Sequence, residues 1–252
     1  MSVYSKILKT IAEKGAAYFV LIDPDKVNEN NIAEFLQVSE KAGVDGFFVG
    51  GSLIVNGDFE KSIKLIKEYS ALPVIIFPGS VNQLSPDADA VLYLSLISGR
   101  NAEHLIGKQV LAAPVIKKFN LEAISTGYML IESGKQTTAE YISGTKPIPR
   151  NKPEIATATA LAAQFLGMKL VYLEGGSGAE NHVPLEMIKS VSEEIEIPLI
   201  VGGGIRTPGV ARKMVNNGAN IIVTGNFFED RNNWNLMKDF ASAIHTKLPV
   251  DV

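Results

Sequence analysis

The chain repeats one unit: a short apolar run, a turn carrying glycine or a carboxylate, then a stretch with helical period. Residues 17–22 are continuously apolar and stop at Asp23-Pro24. Six residues are too few for a helix, and an unbroken apolar run of that length reads as a strand buried on both faces. Residues 28–42 follow with Ile32, Phe35, Leu36 and Val38 on one side and Gly43 as the stop, a helical pattern. The same alternation predicts strands at 44–49, 73–77, 90–94, 126–132, 169–173, 198–201 and 220–224. Helices are expected at 59–69, 101–106 with an irregular continuation through 118, 153–166, 184–195, 208–216 and 234–245.

Strict alternation of this kind implies a parallel sheet. Eight strands in 252 residues fit an α/β fold of the (β/α)8 TIM-barrel type. Only about a dozen residues, among them Ser85-Pro86-Asp87, separate the third strand from the fourth. A full crossover barely fits, so the barrel is expected to be modified, with its third crossover helix short or absent. No linker or shift of composition divides the chain, so residues 1–252 are read as one barrel domain. An open doubly wound sheet would want a glycine-rich turn after the first strand, and Asp23-Pro24-Asp25 stands there instead.

Composition narrows the function classes. The chain is 46% hydrophobic and 20% charged with a formal charge of −3, which speaks against nucleic acid as a partner. It has no cysteine, hence no disulfide or thiol chemistry. The first fifteen residues lack the apolar core of a signal peptide, and no apolar run approaches a transmembrane span. The expected location is cytoplasmic.

In a barrel, chemistry gathers at the carboxyl ends of the strands. These ends carry Asp23, Asp25, Ser52, Tyr128, Glu132, Glu174, Gly203 and Gly225. Three consecutive strands end in glycine turns: Gly175-Gly176-Ser177-Gly178, Gly202-Gly203-Gly204 and Gly225-Asn226. Glycine lets backbone amides approach a phosphate, and Thr207-Pro208 opens a helix whose free N–H groups could help. Glu174 ends an apolar strand beside these turns, the place for a general base; a structural partner for a cation is the alternative. Asp23 is a good oxygen donor for Mg2+, to which Ser52 could add a hydroxyl. Asp23 and Asp25 could instead cap the next helix. Lys146, Arg150 and Lys152 follow the fifth strand and could neutralise a diphosphate, or be solvated loop charges. His104, His182 and His245 are scattered without metal-ligand spacing and read as surface or loop residues.

These residues resemble one known family, the geranylgeranylglyceryl phosphate synthases. The matching motifs are Leu21-Ile22-Asp23-Pro24-Asp25-Lys26, Gly50-Gly51-Ser52, Tyr172-Leu173-Glu174-Gly175-Gly176-Ser177-Gly178, Val201-Gly202-Gly203-Gly204-Ile205-Arg206 and Thr224-Gly225-Asn226. Leu94-Ser95-Leu96-Ile97-Ser98-Gly99-Arg100 looks like the longer-chain subgroup. The resemblance implies a prenyltransferase joining the C3 hydroxyl of sn-glycerol 1-phosphate to geranylgeranyl diphosphate in ether-lipid synthesis. It implies that Tyr172, Leu173, Glu174, Gly175, Gly176, Ser177, Gly178, Gly203, Gly204, Gly225 and Asn226 hold the glycerol phosphate. Asp23 and Ser52 would hold Mg2+, Glu174 would take the hydroxyl proton, and the chain would form a homo-oligomer, dimer or hexamer. One departure is visible: Leu21 stands where some bacterial relatives carry a lysine contact to the glycerol phosphate. Phe77, Tyr93, Leu96 and Tyr128 are candidates to line a groove for the prenyl tail. Two other readings compete: a phosphosugar isomerase using Asp23 and Glu132 as an acid–base pair, and a non-catalytic phosphoester-binding barrel.

Overall fold

The protein is described here by a computed structural model covering residues 1–247; residues 248–252 of the expected domain lie outside the described residues. Eight strands close into a barrel: β1 (Ala17–Ile22), β2 (Gly46–Val49), β3 (Val74–Ile76), β4 (Ala90–Leu96), β5 (Glu122–Leu130), β6 (Leu170–Glu174), β7 (Leu199–Gly202) and β8 (Ile221–Thr224). Every neighbouring pair is parallel, and β8 returns to β1 through Ala17↔Ile221 to Val20↔Thr224. Phe19, Phe48, Ile75, Leu92, Ile124 and Ile200 fill the interior, while the alternate strand residues pack outward under the helices. Both faces are therefore dry, which is why the strands read as unbroken apolar runs.

The helices are α1 (Val3–Lys14), α2 (Ile32–Ala42), α3 (Phe59–Tyr69), α4 (Lys108–Phe119), α5 (Thr138–Ser143), α6 (Pro153–Phe165), α7 (Leu185–Ser192), α8 (Pro208–Asn216) and α9 (Met237–Ile244). Between β3 and β4 there are only turns, as the short interval required. Ahead of α4 a π-helical turn, Glu103–Gly107, runs straight into the helix. Among the described residues no helix is long and apolar enough to cross a membrane.

Three elements differ from the sequence pattern: β5, α1 and α5, which forms in the loop after β5 where no helix is expected. β5 begins four residues before the expected start, because Glu122 is tolerated inside the strand edge. Its carboxylate accepts the Val3 and Tyr4 amides at 2.5 and 3.0 Å. These are free N–H groups at the positive end of α1, where a carboxylate is favoured. α1 has no counterpart among the expected helices; its Val3 and Ile7 are buried against the barrel interior and stop the amino-terminal end of the barrel.

The same end is tied by Asp45. Its carboxylate accepts from Lys14 Nζ at 2.5 Å, the Tyr18 amide at 2.8 Å and His245 Nε2 at 2.9 Å. Four elements, α1, β1, the approach to β2 and the end of α9, thus meet on one buried group. His245 is a structural tie rather than a loose surface residue. Burial alone would raise the Asp45 pKa, but the bonds from His245, Lys14 and the Tyr18 amide outweigh it and leave the group below its ordinary value. A carboxylate depressed in the folded state adds stability above its unfolded pKa and loses it as pH falls through the folded one. Asp45→Asn is expected to cost about 2–4 kcal/mol near neutrality. The gap to the wild type, measured by denaturant unfolding, should narrow below about pH 4.

Candidate active site

Two cavities open at the carboxyl end of the barrel and share Gly51, Ser52, Phe77, Tyr128 and Ala139. They are the two halves of one cleft, polar over the barrel mouth and apolar beside it.

The polar half is built on the glycine turns. Gly176, Gly178, Gly203 and Gly204 all line it with positive φ. At Gly203, with φ +85°, a Cβ would lie 2.5 Å from the Gly176 nitrogen and 2.6 Å from Glu174 Oε1. The β7 turn is therefore pressed onto the β6 turn, and only glycine fits. Ser177, Gly225 and Asn226 complete this wall. The short helix beside it is the 3-10 turn Asn226–Glu229 after β8. The expected contribution of the Thr207-Pro208 helix start is not seen: Thr207 is exposed, caps its own helix through Val210, and does not line the cleft. Leu173 and Gly175 are buried behind the wall, with the Gly175 amide bonded to the Gly202 carbonyl at 2.9 Å.

Glu174 is buried at the end of β6, and its Oε1 accepts the Gly176 amide at 2.5 Å. Burial pushes its pKa up to about 7, against the pull of that amide and of the Tyr172 hydroxyl. Burial, and then the nearby Glu174 charge, hold Tyr172 well above the usual phenol range, so its hydroxyl stays a donor. Tyr172 also stacks on Phe77 at 5.4 Å and meets Tyr128 edge-on at 5.5 Å. These three rings are the floor on which the two halves of the cleft join. A carboxylate poised near 7 beside a glycine-lined pocket suits proton abstraction from a substrate hydroxyl.

Asp23 and Ser52 line the same polar half from β1 and β2. Asp23 Oδ1 accepts the Asp25 amide at 3.0 Å, and among the described residues its Oδ2 accepts no hydrogen bond. Burial outweighs that amide and raises the Asp23 pKa, so a cation there would be welcome. Among the described residues no cluster of three His, Cys, Asp or Glu could by itself hold a metal. One carboxylate and one hydroxyl fit Mg2+, which keeps waters and substrate phosphates in its shell.

The apolar half lies where a third crossover helix would be. Pro78, Val81 and Leu84 form one side, the outer faces of Val91 and Tyr93 the floor, and Ala112 and Ile116 of α4 the other side. Phe77, Tyr93, Leu96 and Tyr128 all line it.

Three expected residues are elsewhere. Arg150 donates to the carbonyls of Glu132 and His182 at 2.9 and 3.0 Å, because the loop after β5 folds back through an Ile131↔Ile148 bridge. Lys152 makes an exposed pair with Glu154, Lys146 is exposed, and none of the three lines either half. Glu132 is exposed outside the cleft, which leaves an Asp23–Glu132 isomerase pair without its second member. Conversely, His104 and Lys108 line the apolar half, and Arg206 lines the polar half while donating to the Ala179 carbonyl at 2.6 Å. Arg206 ends the Val201–Arg206 glycine motif; His104, expected at the surface or in a loop, and Lys108 have no sequence signal beyond following β4.

Residues 9–244 match the PcrB family. The chain belongs to that family. A geranylgeranylglyceryl phosphate synthase of Chitinophaga pinensis is 46% identical over 98% of each chain, and one of Thermococcus gammatolerans is 48% identical over 86% of each. The crystal structure of (S)-3-O-geranylgeranylglyceryl phosphate synthase from Thermoplasma acidophilum, in complex with substrate sn-glycerol-1-phosphate, superposes with a TM-score of 0.91 at 35% identity. It covers 97% of this chain and 99% of its own. The PcrB-family barrel therefore extends over the whole cleft described above.

Two outcomes follow for the polar half. Gly203→Ala should leave the far-UV spectrum intact and weaken binding of inorganic phosphate at the glycine wall about tenfold or more, read by calorimetry, since the turn must move. A carboxylate whose folded pKa is raised supports stability below its ordinary value and loses it as pH rises through the folded one. Glu174→Gln should therefore stabilise the ligand-free chain at pH 8 by about 1–3 kcal/mol, with the gain gone near pH 4.

Proposed function

We propose that this chain is a geranylgeranylglyceryl phosphate synthase, joining sn-glycerol 1-phosphate to geranylgeranyl diphosphate with release of diphosphate. The observation that carries this reading is the single cleft with a phosphate-type glycine wall, a carboxylate poised near pH 7 and an adjoining apolar groove. Such a cleft matches a small phosphate ester at one end and a long hydrocarbon tail at the other. In this reading Gly176, Ser177, Gly178, Gly203, Gly204, Gly225 and Asn226 hold the phosphate, with Tyr172 and Arg206 beside it. Leu21 lines that end without a charge, so the phosphate relies on amides and Arg206.

The tail lies between Leu84, Tyr93, Leu96 and Ile116, where each buried methylene contributes roughly 0.8 kcal/mol. Its reactive carbon comes to the junction at Phe77 and Tyr128. Fixing both substrates there turns a bimolecular encounter into a local one. The C3 oxygen forms the new bond to the allylic C1 as the C1–O bond to diphosphate breaks, and the hydroxyl proton passes to Glu174. Asp23 and Ser52 would hold Mg2+, which when bound neutralises the leaving diphosphate. The aromatic floor keeps water from the allylic carbon. The reading also carries a cytoplasmic location and a homo-oligomer, dimer or hexamer, which cell fractionation and light scattering would check.

The test is turnover with sn-glycerol 1-phosphate, Mg2+ and prenyl diphosphates from C10 to C35, read by mass spectrometry. A C20 ether that disappears with EDTA is expected, with Glu174→Gln losing most of kcat, about 100-fold or more. Absence of any ether product while glycerol phosphate still binds would favour the non-catalytic barrel. Because only the ionised carboxylate accepts a proton, kcat/KM should climb as pH rises toward about 7 and level off above. A flat profile across that range would remove Glu174 from the base role.

A further inference from the structure

The second carboxylate of the Asp23-Pro24-Asp25-Lys26 turn is not idle and does not face the cleft. Asp25 Oδ1 accepts the amides of Val55, Asn56 and Gly57 at 3.1, 2.9 and 2.5 Å, and Oδ2 accepts Val55 again at 2.9 Å. Both oxygens are thereby spent on the loop between β2 and α3. That loop has no regular structure and is mostly exposed from Ser52 to Asn56, so little else holds it. The approach is close: a Cβ on Gly57 would lie 2.4 Å from the Pro24 carbonyl carbon and 2.6 Å from the Asp25 nitrogen. The Asp25 amide in turn donates to Asp23 Oδ1, so one residue orients Asp23 with its backbone and the β2 loop with its side chain.

The other side of the β2 loop is held by Gln83, a buried amide in the helix-free β3–β4 connection. Its Nε2 donates to the Gly51 carbonyl at 3.0 Å, and its Oε1 accepts the Gly79 amide at 2.9 Å. Gly79 lies directly against Gly51 and Ser52, where a Cβ would meet the Gly51 oxygen at 2.2 Å and the Ser52 Cα at 2.9 Å. The loop after β2 is therefore held at two points: at Gly51 by Gln83 from the β3–β4 connection, and at Val55–Gly57 by Asp25 from the turn after β1.

We propose that Asp25 and Gln83 are positioning residues that hold the β2 loop on either side of Ser52, Gln83 at Gly51 and Asp25 at Val55–Gly57, and so fix the Gly51-Ser52 segment against Asp23, with the Asp23 carboxylate and the Ser52 hydroxyl presenting a preformed pair of oxygens to a divalent cation with its diphosphate. The proposal deepens, and rests on, the reading of Asp23 and Ser52 as the cation site. It gives Asp25 a role through hydrogen bonds to the chain and no contact with the cation. It also makes the helix-free connection serve both halves of the cleft: its apolar side chains line the groove, and Gln83 fixes the lip beside it.

The experiment measures Mn2+ binding by electron paramagnetic resonance with inorganic diphosphate present, alongside calorimetric binding of sn-glycerol 1-phosphate and amide hydrogen exchange. Asp25→Ala and Gln83→Met are each expected to weaken Mn2+ about tenfold or more, the usual scale for groups that orient a ligand, with glycerol phosphate affinity nearly unchanged. Exchange at residues 53–58 should rise in Asp25→Ala. Asp25→Asn keeps an oxygen for the Asn56 and Gly57 amides and should recover much of the lost affinity, whereas a direct ligand would not be rescued by the neutral amide. Unaltered Mn2+ binding in Asp25→Ala despite faster exchange would overturn the clamp, as would equal loss in Asp25→Asn and Asp25→Ala. Loss of glycerol phosphate binding as well would reduce both residues to general stability. Asp23→Ala separates the underlying reading: if it binds Mn2+ like the wild type, the cation site itself is wrong and the clamp falls with it.

Discussion

A closed parallel barrel has to cover the outer face of every strand, and here one crossover cannot do so. The interval between β3 and β4 is too short for a helix, so the outward residues Val91 and Tyr93 are covered by a loop and by α4 from the side. Apolar surface left incompletely packed costs free energy unless something fills it. The cavity that results is continuous with the barrel mouth through Phe77 and Tyr128. Two substrates of opposite character can thus meet without a second domain.

The polar half rests on the opposite expedient. Glu174 is taken out of water at a strand end and given one short amide bond and one phenol, too few to keep it at its ordinary pKa. That strain on ionisation would suit it to the proposed role of a base near neutrality. Stability is supplied at the far end of the barrel, where Asp45 gathers α1, β1 and α9 and is over-satisfied. The two buried carboxylates shift in opposite directions because Asp45 has three donors, a lysine ammonium among them, whereas Glu174 has only two neutral ones.

Much of this was legible in the chain. Strand runs buried on both faces, glycine turns at three consecutive strand ends and a missing crossover all follow from local periods and spacings. Phe77, Tyr93, Leu96 and Tyr128 stood as groove candidates by their aromatic or aliphatic character, and the apolar half brings all four together. The β5 start and α1 were not legible, because Glu122 and the first amides of α1 satisfy one another across more than a hundred residues. The cations after β5 pointed to the cleft only on the assumption that a loop on the active face turns inward; the Ile131↔Ile148 bridge turns Arg150 onto carbonyls instead.

The sequence by itself determined the barrel, the order of its strands, the glycine wall and the identity of the carboxylates at the strand ends, because these depend on local period and on the conformations glycine alone allows. Tertiary structure decided which carboxylates face the cleft. Asp23 and Asp25 are two residues apart on one turn, yet one faces the cleft with an open oxygen and the other is spent on the amides of a distant loop. Only the packing of that loop against the turn distinguishes them, since a carboxylate's role is set by which donors reach it in three dimensions.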